Sequence, residues 1–169
     1  MSGGFSTEGL LAERLSLAHE EELAALHADE RVMATLGGVV ATAEESSEWI
    51  AHNLDHWREH GFGMFVFRHR ETGAFAGRGG IRRVEIGGRE EVEVAYAVAA
   101  EQWGRGLATE MATGLLELAE RLGIGDVVAF TLPTNVASRR VMEKVGFVYE
   151  GEVEHHGLPH VLYRRRSAP

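Results

Sequence analysis

A mixed α/β domain is the fold class this sequence predicts, on three observations. Strand-like and helix-like periodicities run in the order strand, helices, three strands, helix, strand, helix, two strands. A long helical run separates two β-rich runs in the middle of that order, which leaves room for one parallel crossover. The chain is 169 residues long, 44% hydrophobic and 25% charged, the balance of one domain that buries its own core. A single domain over residues 1–169 is expected.

Each element has its own signal. Residues 10–17 mix leucines with Glu13 and Arg14 and read as a first, edge-like strand. Over residues 19–36, Leu23, Leu26, Val32 and Met33 recur at mixed helical spacing until Gly37 and Gly38 stop the run. Thr42 stands three residues before Glu45, a capping-box spacing, so a helix opens there and runs to Gly61 with Trp49, Leu54 and Trp57 as its buried face. Residues 65–69 and 74–85 pair as a hairpin turning on Glu71, Thr72 and Gly73. Residues 91–98 alternate, with Val92, Val94, Tyr96 and Val98 on one face and Glu91, Glu93, Ala95 and Ala97 on the other. After a glycine loop, Leu107, Met111, Leu115, Leu118 and Leu122 make the stripe of an amphipathic helix. Residues 126–132 are β-rich and end at Pro133, residues 135–145 form a short helix closed by Gly146, and residues 147–154 and 158–165 make a last hairpin around His156 and Gly157.

Composition excludes several functions. Seventeen basic against 26 acidic residues give a net charge of −9, opposite to what a nucleic-acid binder needs. The same charge would steer cationic or amine ligands inwards. There is no cysteine, so disulfides, thiolate metal sites and cysteine nucleophiles are all absent. No run of 18 apolar residues occurs, and the first residues lack the basic and apolar regions of a signal peptide. A cytoplasmic protein with no membrane partner is expected.

The chemistry concentrates in two stretches. Gly104 and Gly106 lie between a strand and a helix that starts near Leu107. Glycines allow close backbone approach, and the first N–H groups of a helix are unpaired, so an anion such as a diphosphate suits the loop. A dinucleotide fingerprint fails here, because Thr109 fills its third glycine slot and Gly104 comes six positions after Val98. A phosphate-binding P-loop fails for want of a lysine. In the second stretch, Asn135, Ser138 and Met142 fall along one helix face. Asn135 can cap that helix and still face a ligand.

Two other groups invite a functional reading. Glu93 shares its strand face with Ala95 and Ala97, whose small side chains leave room for a ligand, and it is the candidate general base, acting through a water. Glu91 reads instead as a solvated glutamate, and residues 164–166 as a solvated arginine terminus. His52, His56 and His60 recur every four residues, but the metalloprotease pattern needs a glutamate where Asn53 stands, so the histidines are expected at the border of the buried face and no metal site is expected.

WGRGLATE, residues 103–110, followed by NVASRRVMEKVGF, residues 135–147, resembles the GNAT superfamily of acyl-CoA-dependent N-acyltransferases. The runs LLAERLSL and EVEVAYAV are similar to its ribosomal-protein-alanine N-acetyltransferase branch. The resemblance implies a central, mixed, mostly antiparallel twisted sheet flanked by helices. It also implies acetyl transfer from acetyl-CoA to a primary amine, either a protein N-terminus or a small amine, and it leaves a homodimer open. It implies cofactor contacts from Ala97 and Val98, through Trp103, Gly104, Arg105, Gly106, Leu107, Ala108 and Thr109, to Asn135 and Ser138. Trp103 departs from the Arg or Gln of the family's loop pattern. Met142 stands where many members keep a tyrosine as acid for the thiolate, which leaves Ser138, one turn back, as the catalytic hydroxyl beside Glu93. His155, His156 and His160 border the acceptor pocket by the same resemblance, although solvent exposure is their first reading. A non-catalytic acyl-CoA binder on the same fold is the alternative function, and a nicotinamide oxidoreductase the unrelated one.

Overall fold

The computed structural model describes residues 3–168. Eight strands form one sheet in the order β1-β2-β3-β4-β5-β6-β8-β7. In chain order, β1 is Phe5–Ser6, β2 Leu10–Arg14, β3 Met64–His69, β4 Phe75–Ile86, β5 Arg89–Val98, β6 Val127–Thr131, β7 Val148–His155 and β8 Leu158–Arg165. The helices are α1 (Glu20–Ala28), α2 (Glu30–Met33), α3 (Ala43–His60), α4 (Leu107–Arg121) and α5 (Val136–Lys144). Every strand pair is antiparallel except β5 with β6, which α4 joins as the crossover. The sheet is mixed and mostly antiparallel, as expected.

Side-chain alternation assigns the helices to faces. A Cβ on Gly79 would meet Leu115 of α4, so α4 covers that face. The adjacent Arg78 points the other way, against His27 of α1 and Trp49 of α3. Met64, Phe65, Phe67, Met111 and Leu115 are fully buried in the core, each worth about 1.5–3 kcal/mol of transfer free energy. The capping box of α3 forms as read: Glu45 N donates to Thr42 Oγ1 at 3.1 Å, and Thr42 N to Glu45 Oε1 at 3.1 Å. His156 and Gly157 both take positive φ, 50° and 75°, the backbone a tight β7–β8 hairpin requires.

Five readings need correction. β2 is not at the edge, because the two-residue β1 pairs outside it. The helical run at 19–36 breaks into α1 and α2, since Asp29 leaves helical geometry to accept a hydrogen bond from Arg31 N and start a new helix. The apolar stripe of α4 ends early: Leu122 is exposed, and Ala112, Leu116 and Ala119 complete the buried face instead. Arg164 is no solvated arginine; it is half-buried and paired with Glu91 and Glu150, and so Glu91 is not solvated either. His56 is not at a border: it is buried, its Nδ1 donating to Phe62 O at 2.9 Å and its Nε2 accepting from Arg83 N at 2.9 Å.

Candidate active site

Strands β5 and β6 pair only at Glu93 with Val128. Beyond that point neither strand bonds the other, and a cavity of about 730 Å³ occupies the gap. Both alternating sets of β5 line it, Tyr96 and Val98 from one face and Glu93, Ala95 and Ala97 from the other. So do residues from the α4 and α5 side (Gly106, Ser138) and residues from the α1 to α3 side (Thr35, Trp49, Arg78). The cavity therefore passes through the sheet. Two reactants can enter it from opposite faces and meet at the fork.

On one side lies the glycine loop. Gly104 and Gly106 take φ of 79° and 74°, the left-handed region that favours glycine. A Cβ on either would meet nothing within 4 Å, so the space above the loop is open to a ligand. The helical bonding of α4 begins with Glu110 N to Gly106 O at 3.1 Å, so the amides of Leu107, Ala108 and Thr109 have no helical acceptor. Glu110, the acid of the first turn, is drawn away to Thr7 Oγ1 and Gly9 N, both at 2.6 Å, and no side chain of the described residues caps the helix. This cradle fits a diphosphate. Trp103 Nε1 donates to Val98 O at 2.9 Å, fastening the loop to the end of β5.

At the fork, Glu93 is buried and its Oε1 accepts from Arg82 Nε at 3.0 Å and Nη2 at 2.9 Å. Oε2 takes no hydrogen bond from the described residues. Across the cleft, Ser138 Oγ lies 3.1 Å from the Tyr96 hydroxyl. Burial raises Tyr96 to about 12, against a smaller opposing effect from Ser138. Met142 is buried in the cavity wall. Asn135 acts as the cap of α5: Oδ1 accepts from Ser138 N at 3.1 Å, and Nδ2 donates to Thr131 Oγ1 at 3.1 Å.

All the expected site residues line this one cavity except Arg105, whose side chain borders a neighbouring pocket with Arg70 and Gln102. The hairpin histidines line it too. His160 is buried and His155 half-buried, so solvent exposure describes His156 alone. Burial, with His156 and His160 beside it, lowers His155 below the ordinary histidine value. No cluster of metal-ligating side chains occurs among the described residues. The sequence reading missed Tyr96, Arg78 and Arg82. A tyrosine on an otherwise apolar strand face was a signal for the first, because a buried hydroxyl needs a partner. An arginine in the glycine-rich, alternating run of β4 was a signal for the second.

This through-sheet cleft with a phosphate cradle defines a class of group-transfer fold. Residues 10–148 match the family model of the GNAT acetyltransferase domain, and the chain belongs to that family. It is 30% identical over 124 residues to the uncharacterized protein YkkB of Bacillus subtilis (strain 168), covering 73% of this chain and 72% of YkkB. A Bordetella pertussis protein assigned to the GnaT acetyltransferases superposes with a TM-score of 0.83 at 27% identity, covering 96% of this chain and 98% of that one. RimL, a ribosomal L7/L12 α-N-protein acetyltransferase solved in complex with coenzyme A, shares the fold with a TM-score of 0.78 at 19% identity, over 95% and 96% of the two chains.

Proposed function

We propose that this protein transfers the acetyl group of acetyl-CoA to a primary amine by direct attack in a ternary complex. The observation that carries this reading is the cavity that crosses the sheet where β5 and β6 part, with free helix amides at one mouth and a buried carboxylate at the fork. The amides of residues 105–109 and the dipole of α4 hold the diphosphate, and the unpaired edges of β5 and β6 face the pantetheine arm.

The chemistry follows from where charge develops. The incoming ammonium loses a proton to Glu93, through a water and Oε2. The amine nitrogen then bonds to the thioester carbonyl carbon, the C–S bond breaks as the thiolate leaves, and the nitrogen gives up its second proton. The thiolate takes up a proton through water, so the products are the acetylated amine and the CoA thiol. The departing thiolate receives hydrogen bonds from the Ser138 and Tyr96 hydroxyls. Tyr96, at about 12, is a weaker acid than a thiol of ordinary pKa near 8.5, so the pair stabilises the thiolate more than it protonates it. Asn135 supports Ser138 by fixing the first turn of α5.

The acceptor is a protein N-terminal α-amine or a small amine; the fold of RimL lends weight to the first. A methionine at the family's tyrosine position, Met142, is the feature that favours a non-catalytic acyl-CoA binder, but Tyr96 supplies a phenol from the other wall of the cleft. The test is amine-dependent release of CoA thiol from acetyl-CoA over a panel of primary amines. Turnover with any of them is expected; CoA binding without turnover would make the protein a binder.

A further inference from the structure

The acceptor side of the cavity holds a cation with no salt bridge among the described residues. Arg78 is 9% exposed and faces the cavity from the α1 to α3 side of the sheet. Its Nε donates to His27 Nε2 at 2.9 Å, and the His27 Nδ1–H donates to Ser46 Oγ at 2.8 Å, so the partner is a neutral ring. Its guanidinium lies over Trp49, 4.5 Å from the ring centroid. No carboxylate of the described residues lies within salt-bridge distance of Arg78, and neither Nη1 nor Nη2 has a hydrogen-bond acceptor among those residues. A buried cation held rigidly with two free donors is costly unless a ligand completes it. The free Nη1–Nη2 edge is planar and bidentate, the geometry that suits a carboxylate.

Register shows what this edge faces. Arg78 and Arg82 are four residues apart on β4, opposite Ala97 and Glu93 of β5. Their Cα atoms stand about 14 Å apart along the strand. Between them on that face lie only Gly80 and, opposite it, Ala95, so no large side chain from β4 or β5 divides the slot. The slot carries two arginines against one carboxylate, which would repel a simple cationic amine despite the acidic whole chain. The diphosphate cradle is on the opposite face, with α4, and cannot use Arg78.

We infer that Arg78 is an anion subsite for the acceptor: the amine acetylated here carries a carboxylate on the same molecule, seated on Arg78 while its nitrogen lies at Glu93. The inference rests on the acetyltransferase reading above. The carboxylate belongs either to a free amino acid or to an acidic side chain beside a peptide N-terminus, and both place the same group on the guanidinium.

The experiment compares kcat/KM for amino carboxylates of increasing chain length with their amides, their decarboxylated amines and aminophosphonates, together with short peptides with and without an acidic second residue. The wild type is expected to prefer the best carboxylate over its amide by about a hundredfold, and Arg78→Met to collapse that ratio to near one. Peptides outperforming free amino acids would assign the carboxylate to a side chain; the reverse would assign it to a free amino acid. Amides or simple amines used as well as carboxylates, or aminophosphonates used better, would overturn the inference. Tryptophan fluorescence of the wild type, titrated with propionate and with propionamide in the presence of CoA, reads the same subsite without catalysis or mutation. Saturable quenching by propionate alone is expected, and its absence would overturn the inference even if amines are acetylated. If no amine is acetylated, the acetyltransferase reading fails while this titration still decides the anion subsite.

Discussion

The Tyr96 hydroxyl and Ser138 Oγ stand 3.1 Å apart, one on β5 and the other on α5, so two walls of the cleft present a pair of hydroxyls to one place. In the proposed reaction the pair would stabilise the departing thiolate in a chain that has Met142 at the family's tyrosine position. Ser138→Ala and Tyr96→Phe should each lower turnover by about tenfold or more, with smaller changes in the acetyl-CoA constant, because thiolate charge exists only near the transition state. The double variant should lose less than the product of the two, since the groups act together. Steady-state kinetics of the three variants check this, and losses confined to the acetyl-CoA constant would place the pair in cofactor binding only.

Glu93 is expected to matter most for strongly basic amines. A lysine-like amine is neutral at pH 7 to only about one part in 2,500, whereas an α-amine is about one-seventh neutral. Glu93→Gln should cut turnover at pH 7 by about a hundredfold and recover as pH rises towards the amine's own pKa. It also removes the charge that pairs with Arg82, so Arg82→Gln, which breaks the same ion pair but keeps the carboxylate, serves as the control for the lost pair. A Glu93→Gln enzyme with a wild-type pH profile would remove Glu93 from proton transfer.

Acid should destabilise this fold before its carboxylates titrate. Burial first, and the charge of Arg78 second, lower His27 from 6.5 to about 3. As pH falls through 6.5 the unfolded histidine takes a proton that the folded one refuses until about 3. The unfolded state therefore binds more protons across that window, and stability falls with pH. Each unit of this difference is worth about 1.4 kcal/mol. His56, lowered chiefly by burial, adds the same sign. Urea denaturation from about pH 6.5 to 5 should show a falling midpoint, with a shallower slope in His27→Gln. Equal slopes in the two proteins would mean that His27 is not held neutral.

Much of this was readable from periodicity and turn chemistry. The capping box at Thr42, the alternation of β5 and the glycines ahead of α4 are local signals, and each marks an element that forms. What escaped depends on partners distant in sequence. Glu91 looks solvated until β8 brings Arg164 beside it, 73 residues away. Arg78 looks like an ordinary strand arginine until α1 and α3 close over it without a carboxylate. His56 stands at helical spacing with His52 and His60, yet only the approach of Phe62 and Arg83 decides that it is buried. The break at Asp29 is local, but mixed helical spacing continues across it and hides it.

The central claim is that the cleft beside α4 is the acetyl-CoA site, and calorimetric titration of CoA into the wild type and Gly106→Val tests it most directly. Gly106 has a φ of 74° in the cradle, so valine both strains the loop and places a branched side chain above it. Hydrogen bonds to a charged group are worth about 1.5–3 kcal/mol each, and losing two should weaken CoA at least about a hundredfold. Pantetheine, which lacks the diphosphate, should bind both proteins with similar weakness. A folded Gly106→Val protein whose CoA dissociation constant stays within about threefold of the wild type would place the site elsewhere.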